Sequence, residues 1–283
     1  MIIINPQWQG IGKKNPVPKG AEIIEGILQD FNTTVIELND EDIQLENDVK
    51  GLTQLSAQTE KISALLEQKQ PETIFTCGGD CSSDFAQLTY LNNKYNGDLT
   101  LLWIDAHADL HTPESSPSKN FHGMTLRSLM AEGPEEITRY IKKALKPAQV
   151  IFSGLRSYEE EEERFIDEFN VRVFSTEETR NGAIKAIKLP SNNIYVHVDI
   201  DSLDQSVFSD CATPTSEGFQ LQELIDLIQD LISRHNVVGG CLTEYGPKAD
   251  NSAKEIVEKL LLEGFKVQDN FEGSYEAPAQ NLG

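Results

Sequence analysis

Short apolar runs, most of them β-branched, recur along the chain with helix-periodic segments between them, and this alternation restricts the fold most. The runs are Ile2–Ile4, Thr34–Leu38, Thr73–Cys77, Leu99–Asp105, Gln149–Ser153, Val171–Phe174, Ile194–Asp199 and Val237–Thr243. They are nearly continuous in apolar character, as strands covered on both faces are. Helical spacing fills Lys19–Phe31, Leu52–Lys69, Ser82–Tyr95, Glu159–Phe169, Thr176–Leu189, Leu221–His235 and Ser252–Gly264. Strands joined through crossover helices run parallel. A three-layer α/β/α sandwich and an eight-stranded barrel both satisfy this pattern, and periodicity does not separate them. Either places its chemistry at the carboxyl ends of the strands.

The motifs obey that rule. Cys77-Gly78-Gly79-Asp80-Cys81-Ser82 follows one predicted strand, Asp105-Ala106-His107-Ala108-Asp109 a second, Asp199-Ile200-Asp201 a third and Thr243-Glu244-Tyr245-Gly246 a fourth. In extended backbone alternate side chains share a face, so Asp105, His107 and Asp109 converge, as do Asp199 and Asp201. Each pair could instead be a solvated turn or a helix cap. Two acidic pairs facing each other repel unless a cation neutralises them, and so many oxygen and imidazole donors exceed the needs of one ion. The expectation is a pair of divalent metals, with manganese the first choice for carboxylate and imidazole donors. His197, two residues before Asp199, reads as a hydrogen-bonded core histidine or a support for ligands. Asp204 reads as a loop cap.

Composition narrows the partners. A net charge of -22 over 283 residues argues against nucleic acid, since binding a phosphate backbone needs clustered Lys and Arg, whereas a cationic small molecule is compatible. Much of that charge sits on solvated faces such as Glu159–Glu163. No apolar run approaches the roughly 20 residues that span a bilayer, and Met1-Ile2-Ile3-Ile4-Asn5-Pro6 lacks a basic leader, so neither membrane nor export is expected. Cys77, Cys81, Cys211 and Cys241 form neither a disulfide framework nor a paired zinc motif, which fits a reducing, cytoplasmic setting. Residues 1–266 read as one α/β domain, and the polar stretch 267–283 as an irregular tail.

Taken together, Gly78-Gly79-Asp80-Cys81-Ser82, Asp105-Ala106-His107-Ala108-Asp109, His122-Gly123, Asp199-Ile200-Asp201-Ser202-Leu203-Asp204 and Glu244 resemble the ureohydrolase family of arginases, agmatinases and formimidoylglutamases. The likeness runs from about Thr73 to Pro247 with the motifs in family order. It implies an α/β/α sandwich around an eight-stranded, mainly parallel sheet, a dimanganese centre, hydrolysis of a guanidino compound by a metal-bridging hydroxide, and a homo-oligomer such as a trimer or hexamer. It also implies that Asp105 and Asp199 bridge the ions, that His107 and Asp201 serve one, and that Asp109 serves the other. Glu244 would orient the guanidinium, Asp109 would hydrogen-bond the nucleophile, and His122 would relay a proton to the leaving amine.

The segment Asp109-Leu110-His111-Thr112-Pro113-Glu114-Ser115-Ser116-Pro117-Ser118-Lys119-Asn120 looks most like the arginase version. Ser118, Asn120, Glu159 and Thr213 fall near family positions that hold substrate, and His111 stands where arginases usually carry Asn. Cys81 is the sharpest departure, because the family has a metal-binding His there. A thiolate is softer than imidazole and biases its ion toward zinc or iron. Gln205 replaces a family Pro. Cys81 and Gln205 motivate the competing reading of a metal-poor, binding or regulatory family member; a dinuclear amidohydrolase on a barrel is a weaker third.

Overall fold

The computed structural model describes residues 1–248 and 253–271. Its strands are β1 (Ile2–Ile4), β2 (Thr33–Val35), β3 (Leu45–Glu46), β4 (Val49–Lys50), β5 (Ile74–Cys77), β6 (Thr100–Ile104), β7 (Val150–Ser153), β8 (Arg172–Phe174), β9 (Asn193–Val198) and β10 (Asn236–Leu242). Eight of them form one sheet in the order β2-β1-β5-β10-β9-β6-β7-β8, every neighbouring pair parallel. The sheet is open, with β2 and β8 at its edges, so the barrel alternative is excluded. All eight expected strands are present, with ends shifted by at most one residue except in β2, which stops at Val35, three residues before the expected end.

The pleat divides the apolar residues between two cores. Ile4, Phe75, Leu102, Ile104, Val196, Val198 and Leu242 pack on one face against Ala21 and Ile24 of helix Val17–Ile27 and Leu224–Leu231 of helix Leu221–Arg234. Ile3, Ile74, Leu101, Trp103, Tyr195 and Cys241 pack on the other against helices Leu52–Lys69, Phe85–Lys94 and Glu160–Phe169. Near-continuous apolar strands are what a sheet covered on both sides requires.

Two local features differ from the expectation. The helical stretch expected over Thr176–Leu189 is two short helices, Thr176–Arg180 and Ala183–Ala186, because Gly182 at φ 86° breaks the winding. Val267–Phe271 is a helix with Val267 and Phe271 fully buried, the Phe271 ring 5.1 Å from that of Phe75. The segment expected as a tail from 267 therefore starts inside the core, because its two apolar residues lie one helical turn apart; 272–283 lie outside the described residues. No helix among the described residues is long and apolar enough to cross a membrane.

Candidate metal centre and substrate cleft

The four motif-bearing strands are β5, β10, β9 and β6, which lie side by side at the middle of the sheet, so their carboxyl ends deliver the motifs to one place. After β5 the chain turns through Gly78 and Gly79 at φ 78° and 81°, where a Cβ on Gly79 would lie 2.6 Å from the Asn5 carbonyl oxygen. Asp80 ties this loop down, accepting from Gly10 N at 2.8 Å and Ser82 N at 2.9 Å. Burial, reinforced by Glu244, pushes its carboxyl up to about 6. The loop thereby aims Cys81 inward, where its backbone N donates to Glu244 Oε1 at 3.0 Å and its thiol lies 3.0 Å from Asp199 Oδ2.

From β6 and β9 come the carboxylates. Asp105 Oδ1 accepts from His107 N at 2.7 Å, and Asp199 Oδ1 from Asp201 N at 2.8 Å, so each pair fixes its own turn. His107 Nδ1 reaches Asp201 Oδ2 at 3.0 Å and Asp105 Oδ1 at 3.6 Å. Thr213 Oγ donates to Asp201 Oδ2 at 3.0 Å. Asp105, His107 and Asp201 each offer a ligand atom within 4.8 Å of the others. Asp109 and Glu244 sit at φ 52° and 64°, a region non-glycine residues rarely adopt. Backbone bonds hold both: the Asp109 carbonyl accepts from Leu126 N at 3.0 Å, and Glu244 N donates to Gly79 O at 2.7 Å. Strain of this kind collects where a side chain must be aimed.

Electrostatics then tests whether the donor set fits a cation. Burial, with mutual repulsion added, raises the carboxyls of Asp105, Asp109 and Asp199. Burial likewise raises the Cys81 thiol, helped by Asp199. Burial opposes the charge of His107, but hydrogen bonds to Asp105 and Asp201 outweigh it and push the imidazole up to about 12. Among the described residues, Asp105 Oδ2, Asp109 Oδ2 and Glu244 Oε2 are buried without a hydrogen-bond partner. Orphaned buried carboxylate oxygens are costly unless a cation serves them. The residues therefore fit divalent metal.

A cleft of about 210 Å³ opens over the centre, lined by Cys81, His107, Asp109, His111, His122, Glu159, Glu162, Asp199 and Thr213. His122 Nδ1 lies 3.3 Å from Glu244 Oε1, and that contact outweighs burial and raises the imidazole. His111 Nε2 lies 3.5 Å from Glu159 Oε2 and 3.7 Å from Glu162 Oε2 at the cleft wall. Ser118 and Asn120 do not line the cleft: Ser118 is exposed, and Asn120 Oδ1 accepts from Lys50 Nζ at 3.1 Å. Asp204 caps its loop, accepting from Ser206 N at 2.9 Å.

Glu162 escaped the sequence reading because it lies in a run of glutamates. It is only 5% exposed and accepts from Leu110 N at 3.0 Å and Glu159 N at 2.9 Å. Its signal was positional: it stands three residues after the cap Glu159, where a glutamate folds back to close a capping box.

Comparisons with known proteins agree with this architecture. A profile of the arginase family matches residues 21–263. The arginase of Bacillus subtilis is 30% identical over 264 residues, covering 85% of this chain and 88% of its own. An Entamoeba histolytica arginase, solved with L-ornithine, superposes with a TM-score of 0.83 at 23% identity over 93% of this chain and 96% of its own. A Bacillus subtilis formimidoylglutamase shares the fold with a TM-score of 0.74 at 19% identity, over 94% of this chain and 85% of its own. With the profile covering most of its length and its motifs gathered at one end of a parallel sheet, this chain belongs to the arginase family.

Proposed function

We propose that the protein hydrolyses a C–N bond of a guanidino compound or related amidine, giving urea and an amine where the substrate is a guanidine, with arginine the first substrate to test. The observation that carries this reading is the set of buried, orphaned oxygens on Asp105, Asp109 and Glu244, gathered under a cleft just large enough for a small molecule. Asp105, His107, Asp109, Asp199, Asp201 and Cys81 would hold two divalent ions. Bound there, such ions supply the Lewis acidity that lets water lose a proton near neutral pH.

The chain's own residues supply the rest. Glu244 Oε2 offers an acceptor without a hydrogen-bond partner to the guanidinium, and its other oxygen is already steadied by Cys81 N at 3.0 Å. Asp109 Oδ2 is available to accept a hydrogen bond from the attacking water and align it with the guanidinium carbon. His122 keeps its proton because Glu244 faces Nδ1, and it delivers that proton to the departing amine. At the cleft wall His111, Glu159 and Glu162 form an acidic mouth suited to the ammonium end of a substrate. Thr213 acts by fixing Asp201. The likeness to a protein solved with ornithine supports an amino-acid side of this kind.

Manganese remains the first metal to supply, with cobalt, zinc and iron favoured in turn by the softer Cys81. A homo-oligomer and a cytoplasmic setting belong to the same reading, the latter because the four cysteines are unpaired. The competing reading, a metal-poor binding protein, draws on the Cys81 thiol at 3.0 Å from Asp199, a contact that a protonated thiol can make without metal. Urea release from arginine, agmatine and other guanidino acids, with each metal supplied in turn, tests the proposal. Turnover with at least one pair supports it; no turnover with any refutes it.

A further inference from the structure

Beneath the carboxylates, on the same face of the sheet, lies an imidazole that the mechanism above does not use. His197 is on β9 two residues before Asp199, and Trp103 is on β6 two residues before Asp105; the two are register partners. Their rings stack at 3.5 Å and 4°, so the imidazole is locked in orientation, and it is wholly buried. One ring edge is occupied: Nδ1 lies 3.1 Å from Asp84 Oδ2 and 3.1 Å from Cys241 Sγ. The other, Nε2, has no hydrogen-bond partner among the described residues.

The imidazole is not surrounded by apolar groups alone. A ring nitrogen of His197, Cys81 Sγ and an Asp105 carboxylate oxygen lie within 4.8 Å of one another, and Asp105 Oδ2 is itself an orphan. A buried carboxylate on one imidazole nitrogen, leaving the opposite lone pair free, is how proteins fix a histidine that binds metal. We infer that His197 is a metal ligand, supplying through Nε2 the imidazole for the ion held by Cys81 and Asp105, with Asp84 holding its tautomer from behind. The site is thus rebuilt: position 81 gives a thiolate, and the imidazole comes from the sheet floor. Asp105 belongs both to this set and to that of His107 and Asp201, so it is common to the two donor groups. The Cys–His–carboxylate set selects zinc or cobalt over manganese at this seat.

This inference rests on the metal-centre part of the proposed function, and the test separates the two. The full-length protein is loaded with cobalt(II), and proton NMR is recorded on samples with labelled histidine, where each metal-bound imidazole gives strongly shifted ring protons. Two shifted imidazoles are expected, from His107 and His197, together with the near-ultraviolet charge-transfer band of a cobalt-bound thiolate. His197→Gln should abolish one shifted set and weaken binding at the Cys81 seat more than about 100-fold, beyond the roughly 10–100-fold that loss of an orienting partner costs. Asp84→Asn should stay within that smaller range and keep both sets. Cobalt bound with no shifted His197 signal in the unaltered protein overturns the inference and leaves the hydrolase reading standing. No cobalt bound at all overturns the inference, and the hydrolase reading is then decided by turnover with manganese, zinc or iron. A shifted His197 signal without turnover of any guanidino compound supports the inference and refutes the hydrolase.

Discussion

The division of labour around Glu244 makes distinct claims about single residues. Glu244, 3.3 Å from Nδ1, shifts His122 toward its protonated form against the effect of burial. His122→Asn should lower kcat by about 10²–10⁴-fold while metal content stays unchanged, since the role proposed for the imidazole is to move a proton; a loss of metal would instead assign it to the donor group with Cys81 and Glu244. Steady-state urea release alongside metal analysis of the same sample reads both. Asp105→Asn should do the reverse and empty the centre, because Asp105 belongs to both donor sets. Thr213→Val, which removes only the 3.0 Å bond to Asp201, should cost about 10–100-fold in metal affinity. The clustering of acidic side chains at the strand ends was legible because i, i+2 acidic spacing has few uses other than a shared face. His197 and Glu162 were not, since neither a lone histidine in an apolar strand nor one glutamate among several reveals its environment. The unpaired Nε2 and the buried carboxylate exist only once the chain is folded.

At the scale of elements, helix Val17–Ile27 and the segment after β10 approach unusually closely. A Cβ on Gly20 would lie 1.9 Å from the Tyr245 carbonyl oxygen, next in sequence to Glu244. Gly20→Ala should destabilise the protein by roughly 1–3 kcal/mol through overpacking and also reduce turnover, because relief of the clash moves Glu244. Chemical denaturation and kinetics on one preparation check both, and unchanged stability would contradict the packing described. Strand positions were readable because buried parallel strands announce themselves as apolar runs. The β3–β4 hairpin was not: it is two residues on each side of Asn47 and Asp48 at φ 48° and 60°, too short for periodicity to register. Its Asn-Asp turn was the only local signal. The loop carrying Ser118 and Asn120 was placed by likeness alone, and its distance from the cleft is decided by contacts such as Lys50 to Asn120, far apart in sequence.

For the molecule as a whole, the buried carboxylates make stability and metal binding depend on pH together. Asp80 titrates at about 6 when folded against roughly 4 when unfolded, and Asp105, Asp109 and Asp199 shift in the same direction. Groups raised in this way stabilise the metal-free fold below their unfolded pKa and lose that contribution as pH rises through the folded value, for Asp80 between about 4 and 6. Metal binding needs the ligands ionised, so affinity should climb with pH and the gap in Tm between metal-loaded and metal-free protein should widen. At a hundredfold excess over Kd the ions should add about 2.7 kcal/mol each, read by calorimetry across pH. The order of the eight strands could not be read from composition or spacing, because parallel strands meet partners chosen by packing; the family likeness implied the sheet and not its order. That order makes β5, β10, β9 and β6 neighbours and so assembles the centre. Its most direct test is metal content per chain after loading with manganese, cobalt or zinc and exhaustive dialysis. Two ions per chain are expected; one or none with every metal would contradict a dinuclear centre built on Asp105, Asp199 and Cys81.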